Sequence, residues 1–460
     1  MFKRILVLSF CVLLFLVSAD STIAQVQFDL VRRIDVAPVW SGHPVGFALL
    51  TEGDWQFAAF YDANRNMTLA QRKLNETAWI FKQLPTKVEW DSHNYITITL
   101  DRDRHIHVSG NMHCVPLIYF RSEKPLDVTS LVQVASMTGS NEKRCTYPQF
   151  IEGAGKELLF TYRDGGSGNG NQIWNIYDAD KKSWSRLFDT PMFNGQGKMN
   201  AYFYGPIIGP DGYYHLCWMW RNTPDCSTNH DLSYVRSRDM KHWENSQGTP
   251  VALPITLQTG EIIDAAQPKQ GLLNPAQALS FDLENRVVIS YGKYDAKGNW
   301  QLYNARLEDG VWKYYQTSNW NYRWDFKGGG TIPLEISFGA IEIQDGQLVQ
   351  SHRHIKEGNG RWQLDEKTLK PIRQVNSPVR LPKEINKIEL DFPNIEGRTT
   401  WDLQDRKQPA DKGNDIRYVM KWETLPPNRD RPHPVAPPPS QLRVYEIKRR
   451  QNSFPCQSPH

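Results

Sequence analysis

A weak repeat constrains this chain more than any other feature. Each unit is a strand, a polar turn, a second strand and a tryptophan just after an Asp, Asn or Gly turn. It recurs in LNETAWIFKQL at Trp79, DADKKSWSRL at Trp184, SRDMKHWENS at Trp243, LEDGVWKYY at Trp312 and EGNGRWQLD at Trp362. The first step is about two units long, and RSEKPLDVTSL near Leu126 fills the gap without a tryptophan. A unit of roughly 50–60 residues made of four short strands is the signature of a β-propeller blade. No long segment has a sustained helical apolar period, and frequent Gly and Pro suit tight turns between strands.

Counting units gives blades near residues 40–86, 92–135, 147–190, 203–250, 274–318 and 336–375. A last blade comes from strands around Ile416–Trp422 and Leu442–Ile447, with Val26–Val36 closing the ring. The expected fold is all-β, a seven-bladed β-propeller; a pair of β-sandwiches is the alternative. Residues 1–24 read as a signal peptide: Lys3 and Arg4, an apolar run from Ile5 to Val17, and Thr22-x-Ala24 before the cut. Residues 25–450 are then one domain, with an irregular Pro/Arg-rich loop at Pro426–Pro439, and 451–460 form a tail. The expected product is a secreted monomer that binds neither membrane nor nucleic acid. A formal net charge of +4 on 460 residues gives no general pull toward polyanions, so any positive site must be local. Loss of Cys11 with the leader leaves Cys114, Cys145, Cys217, Cys226 and Cys456, an odd set that argues against a full disulfide framework.

The segment SHNYITITLDRDRHIHVSGNMHCVPLIYF, residues 92–120, reads as a hairpin. Folded about Asp103, it sets His93 opposite His113, with Asn94 and Asn111 beside them. His105 and His107 fall at the turn end and read as surface residues. One blade on, a fold near Gly155 sets Tyr147 opposite Arg163, at the mouth of the loop RDGGSGNG. That loop is not followed by Lys-Ser/Thr, so it is not a phosphate loop. Tyr204 opens the next blade. The segment HLCWMWRNTPDCSTNHDLSYVRS holds His215, Cys217, Arg221, Cys226 and His230. Its Cys/His spacing can hold zinc, with His352 or His354 as a distant ligand. Arg221 and His230 join Asn94, Asn111 and Tyr204 as substrate-binding candidates. Neither a G-x-S-x-G elbow nor an H-E-x-x-H motif is present.

The segments HNYITITLD, GNMHCVPLIYFRS, TYPQF, YRDGGSGNGNQIWNIYD and TNHDLSYVRS resemble the secreted BNR-repeat-containing β-propeller proteins, among them polysaccharide lyases of the ulvan lyase type. The resemblance spans roughly residues 35–375. Strict Asp-boxes are absent; SRDMKHW and DAKGNW are degenerate versions, which weakens a sialidase reading. The resemblance implies seven blades, a His/Tyr acid–base set, an arginine that meets a uronate carboxylate, and a structural zinc in some members. By motif, the catalytic positions fall on His93, His113, Tyr147 and Arg163. For zinc, His215 and Cys226 match best, with Cys217 and His354 as further ligands.

The chemistry so implied is β-elimination on an anionic, uronic-acid-containing polysaccharide. Arg163 stabilises charge at the carboxylate, His93 or His113 takes the C5 proton, and Tyr147 protonates the leaving O4. The alternatives are a glycoside hydrolase, for which Asp164 and Asp231 are the candidate carboxylates, and a non-catalytic glycan-binding propeller.

Overall fold

A computed structural model describes residues 26–377, 379–407 and 414–450. The expected leader, the C-terminal tail, Cys11 and Cys456 lie outside the described residues. The described chain is almost entirely β, with a single four-residue α-helix at Lys383–Asn386 and four short 3-10 turns.

Its strands form seven sheets, the blades of a propeller. Blades 1 to 6 run in sequence over residues 48–87, 96–133, 145–186, 200–251, 277–316 and 336–374. In blade 7 the N-terminal strand Val26–Val39 lies between Val379–Arg380 and Ser440–Arg449, followed by Ile416–Thr424 and Glu396–Trp401. The first and last of the described strands thus share one sheet, which closes the ring. The second strands are buried on both faces, as in Trp55–Tyr61, where Phe57 to Tyr61 are all buried. Neighbouring faces fuse into shared cores, such as the one joining Trp174, Trp218, Trp220 and Trp243 across blades 3 and 4.

The repeat tryptophans mark blade periphery in four cases. Trp184, Trp243 and Trp312 lie in the fourth strands of blades 3, 4 and 5, and Trp79 immediately precedes that of blade 1. Trp362 differs: it lies in the third strand of blade 6, Gly358–Leu364, because the Gly-rich turn before it closes the second hairpin instead of the third.

First strands of neighbouring blades touch around the central axis. The start of each first strand pairs with the end of the second, as in Ile96 with Gly110, Thr146 with Arg163 and Asn200 with Arg221. These ends lie on one face of the ring, and the chemistry-bearing side chains gather there. His105 and His107, at the other end of blade 2, are buried and not surface residues. His107 is held between Asp101 (3.1 Å) and the Tyr119 hydroxyl (2.7 Å), so a strand-end imidazole became part of the core.

Candidate active site

The blade 2 ladder keeps the expected register about Asp103, but it stops at Ile96 and Gly110. His93 and His113 are therefore not cross-strand partners. His93 sits in the 3-10 turn Ser92–Asn94, capped by Asp91, whose Oδ1 accepts from the His93 amide (2.9 Å). Gly110 is required where the chain turns, because a Cβ there would lie 2.6 Å from the Tyr95 carbonyl oxygen. Asn111 follows with φ 57° and donates to Thr86 Oγ1 (2.6 Å) and the Lys87 carbonyl (3.0 Å). The NH₂ of its side chain is thus spent on blade 1, where it fixes the turn. The chain then crosses into blade 3, where His113–Val115 pairs with Cys145–Glu152.

This detour still brings the imidazoles together. Their centroids are 4.1 Å apart, with 22° between the planes. One carboxylate holds both: Asp91 Oδ1 accepts from His93 Nδ1 (2.6 Å) and Oδ2 from His113 Nδ1 (2.5 Å). Burial opposes the Asp91 charge, but these two bonds outweigh it and hold the carboxyl well below the usual range. With both Nδ1 atoms donating, each Nε2 is left as the acceptor. A second carboxylate stands behind: Asp430 Oδ2 is 3.5 Å from His93 Nδ1, and Oδ1 is 3.4 Å from Nε2 of buried His43.

Tyr147 occupies a β-bulge. Thr146 pairs with Arg163 and Gln149 with Thr161, so Tyr147 and Pro148 are extruded and Tyr147 takes φ 59°. The bulge turns its ring toward His93, 5.6 Å away, while Arg163 lies 5.0 Å over its face. The Tyr147 hydroxyl has no hydrogen-bond partner among the described residues. Arg163 is only 2% exposed and donates to Thr146 Oγ1 and the Tyr202 hydroxyl, both at 3.2 Å. Arg221 lies 5.5 Å from the Tyr202 ring. Burial disfavours both phenolates. At Tyr202 the charges of Arg163 and Arg221 overcome it and lower the pKa, whereas Tyr147 stays raised by burial and by its neighbour Tyr202.

The remaining candidates are dispersed. Tyr204 lies two residues further along its strand and is partly exposed; Tyr202 occupies the place expected for it. Asn94 is buried, and its carbonyl oxygen accepts from the Tyr61 hydroxyl (2.6 Å). His230 is spanned by Asp231 (2.6 Å) and Asn222 (2.7 Å). The proposed zinc ligands do not converge. His215 lies at the start of Tyr214–Arg221, a strand that rises roughly 3.4 Å per residue, and Cys226 lies past its far end in the 3-10 turn Cys226–Thr228. His215 is engaged by Tyr234 (2.6 Å) and Asp211 (3.1 Å), Cys217 is buried in the core between blades 4 and 5, and His354 Nδ1 accepts two backbone amides in blade 6. The ligand set that does converge among the described residues is Asp91, His93 and His113, with one donor atom from each within 4.8 Å of the others. Three N/O donors with an open position suit zinc.

Asp91, Tyr202 and Asp430 escaped the sequence reading. Asp91 had a local signal, an Asp two residues before a histidine at a turn. Asp430 had none, being 337 residues from His93 in the chain.

The profile described as a BNR repeat-containing family member matches residues 55–320. An ulvan lyase, long isoform, from Alteromonas sp. is 29% identical over 174 residues, 35% of this chain and 16% of that protein. Its counterpart from Pseudoalteromonas sp. (strain PLSV) is 28% identical over 134 residues, 26% of this chain and 13% of that protein. The matched region therefore spans less than a fifth of these relatives. Among solved structures, polysaccharide lyase Uly1 superposes with a TM-score of 0.57 at 14% identity, covering 91% of this chain and 99% of that one. A PL25 ulvan lyase bound to -[GlcA(1-4)Rha3S]- gives 0.57 at 11% identity, covering 91% and 96%. Both share the propeller fold. No helix among the described residues is long and apolar enough to cross a membrane.

Proposed function

The chain belongs to the BNR repeat-containing family, and from that premise we propose that it is a secreted polysaccharide lyase that cleaves a uronic-acid-containing, ulvan-like polysaccharide by β-elimination. The observation that carries this reading is the Asp91-bridged pair His93/His113 beside the unbonded hydroxyl of Tyr147, on a buried arginine.

β-Elimination breaks C5–H and C4–O4 and forms the C4=C5 double bond. The proton at C5 is weakly acidic, and the neighbouring carboxylate disfavours further negative charge. Arg163 and Arg221, with no carboxylate hydrogen-bonded to either among the described residues, lend positive potential where that charge develops. Nε2 of His93 or His113 takes the C5 proton, with Asp91 stabilising the imidazolium that results. Tyr147, its pKa kept high by burial, holds its proton until O4 departs and then delivers it. A zinc ion, where bound, would be held by Asp91, His93 and His113 and would occupy the imidazole lone pairs that otherwise take the proton.

A glycosidase reading has less support. It needs one carboxyl held protonated as the acid. Asp91 and Asp430, the carboxylates nearest the imidazoles, are both depressed: burial opposes each charge, and hydrogen bonds from neighbouring histidines offset it. Asp164 is bonded to Asn141 (2.9 Å) and Asp231 to His230.

The test is incubation with ulvan and other uronic-acid polysaccharides while absorbance near 235 nm is followed. A rise reports the unsaturated uronate. Reducing ends without absorbance would replace this reading by hydrolysis, and binding without either would leave a glycan-binding propeller.

A further inference from the structure

Residues 317–335 connect blade 5 to blade 6 without any regular secondary structure. Connections of this length inside a compact fold usually carry function. The base of this strap is anchored: Trp320, Trp324, Phe326 and Ile332 are buried in one cluster with Trp300 and Cys226. The Trp324 carbonyl accepts from the Tyr294 hydroxyl (2.7 Å). Its tip, Lys327 to Thr331, is latched on two sides. Toward blade 4, Gly328 N donates to Asp225 Oδ1 (2.8 Å) and Cys226 N donates to the Gly328 carbonyl (2.9 Å). Toward blades 2 and 7, Thr331 N donates to Asp430 Oδ2 (2.7 Å), the Thr331 hydroxyl contacts that of Ser92, and Arg429 Nη1 donates to the Lys327 carbonyl (3.1 Å). Gly330 packs so closely on the loop that a Cβ would lie 2.7 Å from the Arg429 carbonyl oxygen.

These contacts complete a perimeter. From His93 it passes to Tyr147, Tyr202 and Arg221 across blades 2, 3 and 4. It continues through the Arg221 bond to the Pro224 carbonyl, then along the strap tip to Ser92, the neighbour of His93. The tip is thus a chord from blade 4 to blade 2. It cuts the proton-transfer groups off from the part of the face over blades 5 and 6. A polymer lying across the whole face would meet the chord one residue from His93.

We propose that the strap tip 327–331, latched by Asp430 and Asp225, makes this site a pocket for chain ends, so that the polysaccharide is shortened from an end and not cut internally. The proposal rests on the lyase reading for its chemistry, but the pocket is a claim about binding and can be tested separately. In wild-type digests of ulvan, absorbance near 235 nm is expected to climb while viscosity hardly falls, and short unsaturated fragments are the products from the first minutes. Viscosity that collapses while few bonds are cut would overturn the proposal. Gly330→Ala, which drives a methyl group into the Arg429 backbone at a φ of 73°, unseats the tip and is expected to convert the digest toward early viscosity loss. Because that variant could fail to fold, binding gives a second measure. With Tyr147→Phe protein and ulvan fractions of graded length, capacity per gram should scale with the number of ends, doubling when mean length is halved. Capacity set by mass alone overturns the pocket. Absent any absorbance in the wild type, the lyase reading fails, and the length series still decides whether ends are bound.

Discussion

Asp91 and His113 are joined by a 2.5 Å hydrogen bond, Oδ2 to Nδ1, while the other oxygen of the same carboxylate holds His93. One acid therefore orients two stacked rings and selects the tautomer that leaves each Nε2 basic. Asp91→Asn keeps the shape but offers one of the rings an NH₂ group instead of an oxygen. The expected loss in kcat is on the order of 10²-fold or more, the scale of a displaced general base. Initial rates at 235 nm, with circular dichroism showing an unchanged fold, check this; a variant with wild-type rates would remove Asp91 from the machinery.

Tyr147→Phe and Arg163→Lys separate two contributions. The first keeps the ring under Arg163 and removes only the hydroxyl, so kcat should fall by about 10²- to 10⁴-fold with KM little changed. The second keeps a positive charge but loses the planar fork to Thr146 and Tyr202. It should cost on the order of 2 kcal/mol of stability as well as activity. Steady-state kinetics and urea midpoints read both.

The ligand set Asp91, His93 and His113 is also the set proposed to move the proton, and an ion cannot share it freely. Excess Zn²⁺ is expected to slow elimination, and EDTA to restore it, because a metal ligand and a base compete for the same imidazole lone pairs. Calorimetric titration of Zn²⁺ into wild type and Asp91→Asn should show binding weakened in the variant. Equal affinity in both proteins would mean that the ion sits elsewhere.

The ring was legible because five of the seven blades repeat a local pattern, turn residues followed by a tryptophan, that needs no knowledge of distant contacts. The reading slipped at Trp362, where the same turn chemistry closes a different hairpin. The histidine pair was legible for a partly wrong reason. Pairing about Asp103 is correct, yet the rings meet through a capped turn and a crossover into blade 3, not through the ladder. Tyr147 met Arg163 despite a bulge that periodicity cannot foresee. The dispersed zinc set failed because nearness in sequence along a strand means separation in space: His215 starts the strand Tyr214–Arg221 and Cys226 lies beyond its far end. Asp430 was invisible because it reaches the site only once blade 7 has closed the ring.

Packing gives a prediction independent of chemistry. A Cβ on Gly292 would lie 1.8 Å from Cζ2 of Trp300. That indole cannot retreat, since its nitrogen donates to the Gly271 carbonyl (2.8 Å) and its face meets Trp324 at 5.5 Å. Gly292→Ala should destabilise by about 3 kcal/mol, at the upper end of overpacking costs. Because Trp300 supports the strap base, its viscosity profile on ulvan should also move toward internal cleavage.

Asp402 should govern stability in mild acid. It is 1% exposed, and burial pushes its pKa up to about 6, against hydrogen bonds from Thr51 Oγ1 (2.7 Å) and Gln404 N (2.9 Å), while the charge of Asp405 adds to the rise. The folded state therefore holds this proton more tightly than the unfolded chain, whose aspartate titrates near 3.9. Stability from this group is fully present below about pH 4 and is lost as pH rises through about 6, a span of about two pH units and on the order of 3 kcal/mol. Asp402→Asn stays neutral throughout, so its unfolding free energy from urea titration should lack that decline and exceed the wild-type value at about pH 8 by the same order. The comparison at about pH 4, where both side chains are uncharged when folded, isolates the ionisation from the change of shape. Parallel curves across the whole range would show that Asp402 is ionised in the folded protein at no cost and that the Thr51 and Gln404 bonds offset its burial.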